Sequence, residues 1–516
     1  MELDEFIDLD YSDQKYKCIC FLNFKNEKLC VIMKIKKGGR EFWPHFNQER
    51  MRSLMKKRGK LFAGVLAAVM MTSVFAGCST SKQEANTDVT KVVWWRSTGH
   101  DKAFMQEKFK QFNETVGKEK GIELEYVVKE GDMEEMLNLA YTSDQAPDLY
   151  ATWQIERRAQ KDQIMPLEEI AGAEKLLEKF GKNALETRHK YLGKTYTLPI
   201  TSATYGLIYN KQMFKDAGLV DENGEPKAPE TWDQVVEYAK KLTNPDAKQY
   251  GIIFPGKWDG FYTTDINMAS SAINGMTDAY DPRDGSFHYD GQITVLNAMI
   301  QMKRDGSCVP GTEGIDNDPA RARFGQGDIG MKIAGSYDYG VLTEQFPAKI
   351  EWGVAPLPVE STDVKGIQYA SADGLCSVNK SSVERIGADK IVTILDYFTS
   401  DDMLKEMYQA GLSIPIDYDL VKDVKVSDDL ANWKTFASFA AFSKCPPLTV
   451  KSDMTGEKTM SDLCVEMLSE TSSPSEVEKI FKDYEKKQND GVAKYKELHP
   501  DYDPTPFIYP DWQLTR

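Results

Sequence analysis

From residue 90 onward the apolar positions of the chain switch between two periods. Lys91-Val92-Val93-Trp94-Trp95 is a short apolar run ending in polar Arg96-Ser97-Thr98-Gly99-His100, the pattern of a buried strand that runs into a loop. Met105, Phe109, Phe112 and Val116 recur every three or four residues and predict a helix over 101–116. Ile122, Leu124, Tyr126 and Val128 alternate with polar residues and predict a second strand. A strand, a helix and a strand at this spacing make a βαβ unit, which places the chain in the α/β class.

The same alternation continues. Residues 133–141 predict a helix, and Ala146-Pro147-Asp148-Leu149-Tyr150 predicts a turn into a short buried strand. Pro229-Glu230-Thr231-Trp232-Asp233-Gln234 opens a helix in which Thr231 caps and Gln234 reaches back, with Val235, Tyr238, Ala239 and Leu242 as its buried face. Residues 391–398, 403–410 and 477–495 are helical by period. Trp232 and Trp352 fall in apolar-patterned elements and are assigned to the core. Asp281, Arg283, Asp284 and Gly285 lack the acceptor spacing and terminal Glu of an EF-hand loop and predict a hairpin turn. The final stretch, HPDYDPTPFIYPDWQLTR, is rich in proline and aromatics and predicts an irregular surface path.

A different pattern occupies KKRGKLFAGVLAAVMMTSVFAGCST, residues 56–80. Five basic residues between 51 and 60 precede an uncharged run from 61 to 77, laid out as an export signal and short for a membrane span. The signal would begin at Met51, so residues 1–50 are read as upstream translation, outside the native protein. A cytoplasmic segment of a membrane-anchored protein is the rival reading; Cys18-x-Cys20 offers too little for a metal site. Small residues before a cysteine, Ala76-Gly77-Cys78, resemble the lipobox of bacterial lipoproteins, although Phe75 stands where an aliphatic residue is usual. That resemblance implies lipidation of Cys78, with 51–77 as signal peptide and 78–89 as tether. Several acyl chains anchor stably where one is marginal.

Charge narrows the partners. The whole chain carries −16; residues 1–77 carry +5, which leaves −21 on the remainder. So acidic a surface opposes nucleic acid and anionic lipid as direct partners. Cys308, Cys376, Cys445 and Cys464 are scattered and are read as free buried thiols; the scattered histidines predict no zinc site.

Several segments then fall into a familiar order. GKTYTLPITSATYGLIYNKQMFKDAGL (193–219) resembles the signature region of extracellular solute-binding proteins of bacterial ABC importers, in the carbohydrate-binding branch that includes maltose-binding protein. APDLYATW (146–153), PETWDQVVEYAKKL, FGQGDIGMKIAGSYDYG (324–340), EWGVAPLPV (351–359) and DYFTSDDMLKEMYQAGLSIPI (396–416) match in the same order. The resemblance implies an α/β, two-lobed, periplasmic-binding-protein-like fold of type II. Its lobes would be joined by hinge crossovers near 199–201, 355–358 and 399–400, where Pro199, Pro356 and Pro358 punctuate two of the three. Lobe one would hold 90–200 and 359–399, and lobe two 201–358 and 400–516.

The resemblance also implies a function. A monomeric, lipid-anchored protein facing outside the cytoplasm would bind a sugar or oligosaccharide in the interlobe cleft, without cofactor, and deliver it to transporter membrane subunits. Aromatic rings suit the C–H faces of sugars and planar polar groups suit their edges. By position in the motifs, Trp153 and Tyr337 are the stacking candidates; Trp153 has a core tryptophan at a strand end as its alternative. Tyr205 lies just past the first crossing. Arg96, Ser97 and His100 follow the first strand, and Trp258 and Asp373 lie on loops read as facing the cleft, each with a structural alternative. A non-sugar solute, or a secreted glycoside hydrolase with paired carboxylates, are the competing functions; no GxSxG elbow, P-loop or dinucleotide fingerprint is present.

Overall fold

Thr90–Ser97 is an inner strand of a four-stranded sheet ordered Ser377–Val378, Leu149–Tyr150, Thr90–Ser97, Ile122–Lys129. It runs parallel to two of these neighbours, with Trp94 opposite Tyr126 on one side and Leu149 on the other. Helices cover both faces of such a strand, which is why it reads as a continuous apolar run. Trp94 is buried with its ring 5.2 Å from Phe109 on the following helix and 5.0 Å from Phe398 on the helix Ala388–Phe398. In this computed structural model the described residues are 3–11, 14–22, 28–34, 89–97, 99, 101–129, 132–185 and 188–516; for 3–34 and Ser97 only the backbone is described. The signal segment 51–77, Cys78 and His100 lie outside them.

The first helix departs from its predicted span. It is α-helical over Lys102–Phe112, and Asn113–Gly117 then widens into a π-turn. Asn113 donates to Leu124 O at 2.9 Å and accepts from Leu124 N at 2.8 Å. This side chain bonds to the next strand as a backbone would, and a widened turn is the local response. Met105, Phe109 and Phe112 bury as the stripe requires, while Val116 stays half-buried.

The second large sheet is ordered Tyr250–Ile252, Ile329–Gly335, Tyr205–Asn210, Trp352–Ala355, and Ile329–Gly335 is buried at every position. Helix Trp232–Leu242 packs there. Thr231 Oγ1 accepts from Gln234 N at 3.3 Å, but Gln234 reaches back to Glu230 N at 2.8 Å, one residue earlier than a capping box requires. Trp232 and Trp352 are both buried, and Tyr280–Asp281 pairs with Ser286–Phe287 as the expected hairpin, with Gly285 at φ 84°.

A three-stranded antiparallel sheet joins the two halves, with Pro199–Ala203 between Ser371–Gly374 and Ile414–Pro415. Two of these passages come later than 355–358 and 399–400. Leu357, Val359 and Tyr369 belong to the same core as Leu207 and Trp232, while Met403 and Leu404 share a core with Val92 and Trp94. Pro356 and Pro358 end the strand Trp352–Ala355 inside the second lobe, because proline stops a ladder wherever it stands.

The last helix, Pro474–Leu498, opens with a capping box between Ser473 and Glu476. The tail after it is irregular and returns to the body, where Leu514 O accepts from Ile367 N at 2.9 Å. Cys308, Cys376 and Cys464 are free and buried; Cys445 is free but only half-buried. The N-terminal unit, Met1–Asn86, contains by itself an antiparallel meander of Leu3–Tyr11, Gln14–Leu22 and Lys28–Lys34, a regular structure that the sequence pattern had not announced.

Candidate functional site

Tyr205 and Tyr337 are 132 residues apart in the chain and meet through strand register. Tyr205–Asn210 pairs antiparallel with Ile329–Gly335 and places Tyr205 opposite Gly335, two residues before Tyr337. The two rings stand 6.4 Å apart at 83°, edge to face. Gly335 makes room: a Cβ there would lie 2.4 Å from the Tyr337 ring. Asp338 locks the turn, accepting from Gly335 N at 2.9 Å and from Arg321 Nε at 2.5 Å. The Arg321 guanidinium lies 5.8 Å from the centre of the Tyr337 ring.

Asp373 joins them from the hinge strand, where it pairs with Thr201. Ser371 Oγ donates to Asp373 Oδ2 at 3.2 Å, and Arg188 approaches Asp373 at 4.0 Å. Burial, reinforced by the negative charge of Asp373, pushes the Tyr205 phenol up to about 12. Burial likewise raises Tyr337, with Tyr205 and Asp338 adding to it. Both phenols are therefore neutral hydroxyls, able to donate and to accept.

Arg96 and the backbone of Ser97 end one strand, and Trp153 follows the end of its parallel neighbour Leu149–Tyr150, at the carboxyl edge where open α/β sheets bind ligands. Trp153 is 69% exposed and not part of the core. Its loop is held from below: Glu134 accepts from Thr152 Oγ1 at 2.5 Å and from Trp153 N at 2.9 Å. The other Glu134 oxygen takes Arg158 Nη2 at 2.7 Å, and Arg158 is fully buried. Arg96 is already engaged, with Asp101 at 2.6 Å.

Trp258 lines a groove of about 480 Å3 in the second lobe with Lys458, Asp462 and Glu466, its ring lying against Gly260.

Sequence reasoning missed Thr264 and Asp265 near Tyr337, and a second pair, Tyr262 with Asp278. Phe261–Met268 is a π-helix, a form frequent at functional sites. From it Thr264 hydrogen-bonds Tyr337, Tyr262 is half-buried, and Asp265 lies fully buried. Burial raises the Asp265 carboxyl to about 7, against the pull of Lys332. Asp278, at φ 52°, exchanges hydrogen bonds with Asn267. It keeps surface open to solvent, yet enclosure raises its carboxyl while Arg188 lowers it, as befits a concave wall. No residue pattern marks a π-turn or a left-handed aspartate in advance.

Residues 96–405, more than half of the chain, match the family described as bacterial extracellular solute-binding protein. The chain belongs to that family. This solute-binding protein is 26% identical over 230 residues to the maltotriose-binding protein of Pyrococcus abyssi, covering 44% of this chain and 45% of that one. It is 25% identical over 312 residues to the arabinooligosaccharide-binding protein of Bacillus subtilis, covering 59% and 68%. A putative binding protein of Brucella abortus is 25% identical over 259 residues, covering 49% and 59%. The match thus spans less than two thirds of the length of the Brucella and Pyrococcus relatives.

Among solved structures, the GacH receptor of Streptomyces glaucescens superposes with a TM-score of 0.58 at 18% identity, covering 80% of this chain and 100% of that one. Maltose-bound T. maritima MalE3 superposes with a TM-score of 0.56 at 16% identity, covering 79% and 99%. At such identities the likeness is one of fold, and the solute-binding protein has the α/β, two-lobed, type II architecture with its lobes joined by hinge strands.

Proposed function

We propose that this protein captures an extracellular carbohydrate, a sugar or short oligosaccharide, between its two lobes and delivers it to the membrane subunits of an ABC importer. One observation carries the reading. Trp153 is left 69% exposed on a loop held by the buried Glu134–Arg158 pair. Folding gains nothing from an exposed indole, whereas stacking on a sugar face needs one that is held still. Tyr337, Tyr205 and Asp373 would supply the second wall and its hydrogen-bonding edge, and Arg96 would border the first, to which the sequence motifs also assign Ser97 and His100. Closure by hinge motion would bury the guest, provided the guest interacts better with the closed form.

The names of the maltotriose and arabinooligosaccharide relatives support a sugar. An sn-glycerol-3-phosphate-binding protein of Brucella abortus, 26% identical over 320 residues, makes an anionic solute the second reading. Charge disfavours it, because Arg96 is paired with Asp101 and Arg188 stands beside Asp373 and Asp278. The remaining assignments complete the proposal: Met51 as the start, lipidation of Cys78, and a monomer outside the cytoplasm that performs no catalysis. Within it, lobe one comprises 90–200 with about 375–413, and lobe two the rest of 201–516.

Calorimetric titration with maltotriose, an arabino-oligosaccharide, glucose and sn-glycerol-3-phosphate, run beside an assay for released reducing sugar, tests the reading. Saturable binding of a saccharide without turnover is the expected result. Turnover, or binding of the phosphate ester alone, overturns it. Mass spectrometry of the native protein checks the acylated Cys78 and the start at Met51.

A further inference from the structure

Away from the hinge sheet, the lobes meet at a second kind of contact. Glu156 stands in the first turn of the helix Ile155–Gln160, whose Ile155 packs into the first-lobe core with Met133, Leu137 and Tyr150. Lys451 follows Val450, which belongs to the second-lobe core. Their side chains meet at 3.2 Å, each about one-third exposed, at 35% and 34%. Among the described residues, every other ion pair lies within one lobe, except Arg188–Asp373, which sits on the hinge strand itself.

Three features make this contact more than an incidental surface pair. The segment carrying Lys451 has no slack: Lys451 N donates to Tyr502 Oη at 2.8 Å, and Ser452 Oγ donates to Gln488 O at 2.7 Å. The partner is equally fixed, one helical turn beyond the Trp153 loop. Around the pair lies a cavity of about 500 Å3 lined by Glu156, Lys451, Gln488 and Tyr495. The pair thus faces open space rather than a packed interior, and an ion pair that opens back to water separates at little cost.

We propose that Glu156 and Lys451 form a latch that holds the lobes together at the cleft edge and sets the balance between closed and open forms. A partly exposed ion pair contributes less than about 1 kcal/mol, trivial for folding. It is large for closure, because two conformers a few kcal/mol apart change population two- to five-fold for such a term. The proposal rests on reading the protein as a hinged binder.

The test uses the full chain with a donor and an acceptor dye, one on each lobe, and reads interlobe distance without added solute. Glu156→Gln and Lys451→Met are each expected to lower the closed-to-open ratio about two- to five-fold. The double variant should add nothing further, and the exchange Glu156→Lys with Lys451→Glu should recover the wild-type ratio. Raising salt should open the wild type and leave the double variant unmoved. Unchanged ratios in both single variants, additive effects in the double, or failure of the exchange to recover closure would overturn the latch. Because no saccharide is present, a failed sugar titration leaves this result standing and condemns only the choice of guest.

Discussion

Replacing Glu134 by Ala tests how the exposed tryptophan is held. Glu134 is the single acceptor for Thr152 Oγ1, Trp153 N and Arg158 Nη2, at 2.5, 2.9 and 2.7 Å. Arg158 has no surface of its own, so the substitution strands a guanidinium inside the first lobe. Removing one member of such a buried pair costs about 3–5 kcal/mol, most of it the penalty of the charge left behind. The two lost hydrogen bonds belong to the same event and are not added to it. Replacing both charges, Glu134→Leu with Arg158→Met, removes that penalty and should cost markedly less than Glu134→Ala alone. Hydrogen exchange of the peptide spanning 149–158 is the suitable assay, since a two-lobed chain need not unfold in one step. A local loss of 3 kcal/mol corresponds to roughly 150-fold faster exchange. Slow, wild-type exchange in Glu134→Ala, or a double variant as labile as the single one, would refute the account of a charge-locked loop.

Three further outcomes follow from the same geometry. Trp153→Ala and Tyr337→Ala should each weaken saccharide binding by about 1–3 kcal/mol in calorimetry, with Trp153→Ala leaving the melting temperature nearly unchanged because the indole is exposed. Gly335→Ala should displace the Tyr337 ring, since its new Cβ would lie 2.4 Å from it; weakened binding with retained circular dichroism is the expected signature, and unaltered affinity would count against Tyr337 as a wall. His189 accepts from Leu185 N at 3.1 Å through Nδ1, so Nε2 carries the proton toward Ala372 O at 3.2 Å. Burial first, then the charges of Arg188 and Lys190, lower it to about 4. The native ring stays neutral while the unfolded one titrates near 6.5. Its contribution, up to about 3 kcal/mol, is thus complete above pH 6.5 and is lost as pH falls toward 4. Denaturant titrations from pH 7 to 4.5 should show a shallower loss in His189→Gln than in wild type, and equal slopes would contradict the assignment.

Much of the architecture was legible in the chain because it is written over short distances. Val92 and Trp94 announce a buried strand, Met105, Phe109 and Phe112 a helix, and Thr231 with Gln234 a helix start, all within one or two turns of backbone. The hinge was legible only in its first passage. Proline signals the end of a strand and says nothing about which lobe the strand belongs to, so Pro356 and Pro358 pointed to a crossing some fifteen residues early. The groove that Trp258 lines with Lys458 and Glu466 could not be read from the loop it sits on, because those partners lie about 200 residues away.

By itself, then, the sequence determined the α/β class, the order and type of the main elements, the burial of Trp232 and Trp352, and the family motifs that name Tyr337 and Trp153. Tertiary structure alone decided that the rings of Tyr205 and Tyr337 meet edge to face, that Asp278 lies by Tyr262, and that Glu156 finds Lys451 across 295 residues of chain. The reason is range. Periodicity and capping are set by neighbours a few residues away, whereas a wall or a latch exists only after strand register and lobe closure have brought distant side chains within a few ångströms.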